Sequence, residues 1–104
     1  LQALEETGSA EQRLRRFGKD ILSNDTDPAM RAWARADKSV AKAVAQVDTK
    51  RLKYVTARLN NIGLSNDDFA RSSLAALVGL PAVAGKSSTT RAFDTLVDTV
   101  LALK

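Results

Sequence analysis

Apolar residues recur at helical spacing along nearly the whole chain, and nowhere do they alternate in the two-residue rhythm of a strand. Leu14, Phe17, Ile21 and Leu22 place a helix after Ser9, with Gln12 at the capping-box position. Asp27-Pro28 predicts a second start, the aspartate as cap and the proline in the first helical position. This short helix carries Met30, Trp33 and Ala34 on one stripe and reaches about Asp37. A long helix follows from about Lys38 to Ile62, and Gly63 supplies a left-handed stop. Ser65 is the expected cap of the next helix, with Asp67 and Asp68 at its positive end and Leu64 positioned to staple to Phe69. From Leu74 to Leu80 that helix is apolar nearly all round, so it is expected to be buried on more than one side until Pro81 kinks or ends it. Ser87 or Ser88 is expected to cap a last helix, and residues 1–8 read as the tail of an earlier one closed by Gly8. The pattern predicts an all-α antiparallel bundle of about five helices in a single domain, 1–104.

Two features of this pattern concern function. On the long helix, laid out at about 100° per residue, Val40, Val44, Val47, Tyr54, Val55, Leu59 and Ile62 form an apolar sector. Arg51 projects near its middle, Arg58 close behind, and Asp48 to one side. A buried guanidinium without a partner is prohibitively costly, and Asp48 three residues before Arg51 can supply one. This is either a structural brace or the polar anchor of an apolar ligand cavity, whose candidate lining is Phe17, Trp33, Val47, Tyr54, Val55 and Phe69 around Arg51. Such a lining favours a flat apolar ligand with an anionic group for Arg51. The second feature is the final helix. Phe93, Leu96, Val97, Val100, Leu101 and Leu103 span about half its circumference, wider than one core contact needs. The surplus predicts a second copy of the chain as partner. Gly18, on the apolar face of the first helix, is read as a close helix packing site in preference to ligand clearance.

Composition narrows the chemistry. The 104 residues suffice for one core of ordinary size. Neither cysteine nor histidine occurs, which removes disulfides, thiol nucleophiles, imidazole bases and nearly every zinc or haem site. A serine triad is therefore impossible, and most clustered carboxylates sit where helix caps want them. Gly85-Lys86-Ser87 lacks the earlier glycine and preceding strand of a phosphate loop. No enzyme activity, cofactor or metal is expected. No apolar run has the length of a membrane span, and a cytoplasmic location without membrane attachment is expected. The net charge of +4 is dispersed among acids and reads as solvated helix faces.

The order of these features resembles the C-terminal regulatory domain of TetR-type transcriptional regulators. The likeness is carried by Trp33 to Asp37, then Val40, Val44, Val47, Asp48, Arg51 and Leu52, then Gly63-Leu64-Ser65, then the small-residue helix ending at Gly79. It covers residues 9–104. It implies an effector-sensing domain whose last two long helices, about 66–83 and 88–103, pair with those of a second subunit. Leu74, Leu77, Leu80, Phe93, Leu96, Val97 and Val100 are then the expected dimer face. It also implies a helix-turn-helix head, not present in this chain, through which alone the parent reads operator DNA. A ligand-free helical interaction module would explain the wide apolar face equally well, and a basic nucleic-acid binder would explain the charge.

Overall fold

Ser9 opens the first helix as its spacing predicts: its Oγ accepts from the Gln12 N–H at 3.1 Å while Gln12 Oε1 accepts from the Ser9 N–H at 2.9 Å. The computed structural model describes residues 8–103, so the helical tail expected before Gly8 lies outside the described residues. Among those described there are five helices and no strand, with 84% helical. They are α1 (Ala10–Leu22), α2 (Thr26–Ala34), α3 (Lys38–Ile62), α4 (Asp67–Val83) and α5 (Lys86–Ala102). None is long and apolar enough to cross a membrane.

The junctions follow local chemistry, with three corrections. Asp37 caps α3 by accepting from the Ser39 and Val40 N–H groups. Its bond from the Ser39 hydroxyl, joined by those two backbone donors, holds its carboxyl below the usual range. Gly63 stops α3 with φ +100°, a conformation that a side chain would strain. The cap of α4, however, is Asn66 and not Ser65: the helix begins at Asp67, and the residue just before it is an equally good acceptor, bonding the Asp68 N–H at 2.8 Å. Nor does Asp27 cap α2. That helix starts at Thr26, whose N–H is taken by Asn24 Oδ1 at 2.9 Å, leaving the Asp27 carboxylate for other partners. The last helix begins at Lys86 after Gly85, so Ser88 lies within its first turn and is not its cap. Pro81 ends α4 within one turn, at Val83, where Ala84 turns extended while donating to the Leu80 carbonyl at 2.9 Å.

Leu14, Val55, Leu59, Leu77 and Phe93 are the largest fully buried side chains, drawn from α1, the second half of α3, α4 and α5. Each contributes about 1.5–3 kcal/mol by leaving water. Helices α1 and α5 meet closely at Gly18, where an added Cβ would fall 2.5 Å from Phe93 Cδ2. Gly18 is thus a packing residue, admitting the Phe93 ring to the backbone of α1. Above this contact Arg15 clamps α1 to α5: Nη1 meets Asp94 at 3.1 Å, Nη2 meets Asp98, and Nε meets Glu11 within α1 at 3.1 Å. Burial opposes the charge of Arg15, but these carboxylates outweigh it and raise its pKa.

Candidate functional site

Helix α2 is built differently from its neighbours. None of its residues is buried, and its main packing partner is α3. It is held by four charged side chains in a row. Arg51 of α3 donates Nη1 to Asp27 Oδ1 at 2.8 Å, and Arg31 donates Nε to Asp27 Oδ2 at 3.2 Å. The two remaining nitrogens of Arg31 meet both oxygens of Asp48, Nη1 to Oδ2 at 2.9 Å. The partner expected for Arg51 is therefore corrected. Asp48 faces Arg31 across the helix pair, and Arg51 is neutralised by Asp27. The i, i+4 spacing of Asp27 and Arg31 puts both on the α2 face that meets α3, so the two aspartates and two arginines interleave.

The side chains of this row are 16–32% exposed, which makes the pairs stronger than surface ones yet cheaper to form than fully buried ones. Burial penalises the Asp27 carboxylate, but the bonds and charges of Arg51 and Arg31 prevail and hold its pKa below the usual range. For Arg31 the bond to Asp48 is the largest influence; it overcomes burial and raises the guanidinium pKa further.

Two clefts flank the first turns of α2. One, of about 320 Å³, lies between α2 and the body of the molecule; its apolar walls include Ile21, Leu22, Leu77, Val78 and Pro81, and Asp25, Asp27 and Arg31 reach it. The other, of about 190 Å³, lies between α2 and α3, where Met30, Val44 and Val47 surround Asp27, Arg31 and Arg51. The same ion row thus forms part of both walls.

Of the expected ligand-lining residues, Val47 and Arg51 share the smaller cleft. Phe17 and Tyr54 stack on each other with ring centroids 4.6 Å apart, and the Arg58 guanidinium lies 4.9 Å over the tyrosine. Phe69 packs against the core, and Val55 is enclosed within it. Trp33, at the far end of α2, is 56% exposed. These residues do not converge on one cavity. The sequence pattern does not mark Leu77, Val78, Pro81, Asp27 and Arg31 as lining of a cleft. The signal available for the last two was their i, i+4 spacing on the face shared with Met30 and Ala34.

The expected dimer face also needs correction. Leu77, Phe93, Val97 and Val100 lie in the core of the single chain and cannot at the same time meet a second copy. Leu74, Leu80 and Leu96 remain partly accessible, Leu80 and Leu96 resting against the core. Comparison of the chain with protein-family models, with curated proteins and with solved structures yields no match in any of the three.

Proposed function

We propose that the chain is the effector-sensing and dimerisation domain of a TetR-type transcriptional repressor. The observation that carries this reading is the pair of apolar clefts on either side of α2, both reaching the same row of ion pairs. A small, mostly apolar effector in either cleft touches a helix that no buried side chain anchors, so occupancy can select one placement of α2. The helix order and the junction at Gly63 support the assignment, through the resemblance described above. The reading assigns no catalysis, and places operator binding in a head outside this chain.

Dimerisation, in this reading, uses the outer surfaces of α4 and α5. Leu74, Leu80 and Leu96 are partly accessible there, and Val83 and Leu103 are strongly exposed. Sedimentation at high micromolar concentration is expected to report a dimer; a clean monomer overturns that part. Effector sensing is tested by a thermal-shift screen of small apolar compounds. A binder at 100 times its Kd stabilises by about 2.7 kcal/mol, worth roughly 10 °C or more in Tm for a chain of this size. A screen without any shift favours the second reading, a ligand-free interaction module. The exposed Trp33 is the observation on its side, since large exposed aromatics are common at protein interfaces.

A further inference from the structure

We infer that the larger cleft, between α2 and the α1/α4/α5 body, selects an uncharged apolar ligand and discriminates against both carboxylates and amines. The inference rests on the effector-domain reading and names the class of ligand. Its floor is the edge of the core, Ile21, Leu22 and Leu77, with Val78 and Pro81 beside them. Its volume of about 320 Å³ suits a small molecule. The charged groups at its wall decide the rest.

Arg31 is the cation that reaches this cleft, and all three of its guanidinium nitrogens already have carboxylate acceptors, Nε on Asp27 and both Nη atoms on Asp48. Asp27 is equally committed, one oxygen to Arg31 and the other to Arg51. Asp25, the other carboxylate on the wall, has a partner as well. The row of two aspartates and two arginines is neutral as a whole. A ligand carboxylate can reach only the Nη N–H groups that Asp48 leaves over, on a guanidinium whose charge Asp27 and Asp48 already balance; to take more it must displace one of them. An ammonium group at Asp27 likewise meets a carboxylate that Arg31 and Arg51 already neutralise. Either ion gives up its hydration with no surplus opposite charge in the row to receive it, or else breaks an existing pair to make its own. A neutral ligand meets no such cost, and gains from the apolar floor.

The test uses three probes with one apolar body: naphthylmethanol, naphthoate and naphthylmethylammonium, titrated at pH 7 into the 15N-labelled chain with amide shifts followed at Leu77, Val78 and Thr89. The alcohol is expected to bind at least roughly tenfold tighter than either ion, a factor that corresponds to about 1.4 kcal/mol. In Asp48→Asn, which removes the negative charge facing Arg31 and leaves one acceptor oxygen in place of two, naphthoate is expected to gain roughly tenfold relative to the alcohol. Naphthoate or the amine binding the unaltered chain as tightly as the alcohol overturns the neutral class while leaving the effector pocket standing. An unchanged naphthoate-to-alcohol ratio in a folded Asp48→Asn variant overturns the role given to the ion row. Absence of shifts at these amides with all three probes overturns this inference and the pocket reading together.

Discussion

The body of the molecule and its α2 arm are held by different forces. In the body, α1, α4, α5 and the second half of α3 share one core, with Phe93 pressed to the backbone of α1 at Gly18. In the arm, no residue of α2 is fully buried, and within the first half of α3 Val40 alone is buried, apart from the core cluster. Apolar burial acts without direction and is lost only when the body opens. Ion pairs act between named atoms, weaken with pH and salt, and can exchange partners. A stable body beside an exchangeable arm gives regions of different local stability, which is where binding elements are commonly found.

The contrast can be broken from either side. The largest effect is expected in the body: Phe93→Ala removes a fully buried ring and should cost about 3–5 kcal/mol by chemical denaturation, with every helix losing protection together. Gly18→Ala forces a methyl group against that ring and should cost about 1–3 kcal/mol, again globally. A neutral outcome there would mean that the close contact of α1 with Phe93 is not a constraint.

Asp27→Ala probes the arm. It takes the aspartate from Arg51 and leaves Arg31 with Asp48 alone, and in this partly exposed setting should cost about 1–2 kcal/mol. Hydrogen exchange should show that loss as roughly 5–30-fold faster exchange in α2 with the body unchanged. Equal acceleration in α1 and α5 would erase the distinction between arm and body. Acid should act on the same group. The folded pKa of Asp27 is depressed, so its stabilisation is complete above its ordinary value of about 3.9 and disappears as pH falls through the folded value. Protection of α2 is therefore expected to be flat from pH 5 to 8, where no side chain of this histidine- and cysteine-free chain ordinarily titrates, and to fall in strong acid. Smallest of all, Arg71→Ala removes an exposed pair with Asp68 and should change stability by no more than about 0.5 kcal/mol.

The helix boundaries show how far local chemistry reaches. The capping box at Ser9, the span of α3 and the stop at Gly63 were legible because each depends on residues within one turn. That Ser65 and Asp27 are not the caps has a related reason. Several good acceptors stand side by side at those junctions, and a shift of one residue decides which of them meets an amide. The candidate site was much less legible. Arg51 was singled out by its place in an apolar sector, but the residue that neutralises it lies 24 positions away on another helix.

By itself, then, the sequence determined the class of fold, the punctuation of its helices and the conclusion that Arg51 requires a partner. These follow from periodicity, capping and the cost of a buried charge, all of which act over a few residues or on one group alone. Only the tertiary structure decided that Asp27 is that partner, that Asp48 belongs to Arg31, and that Leu77, Phe93, Val97 and Val100 fill the chain's own core. A helical stripe fixes which residues share a face, but not which neighbour covers it. That choice depends on how five helices pack at once, and distance along the chain carries no information about it.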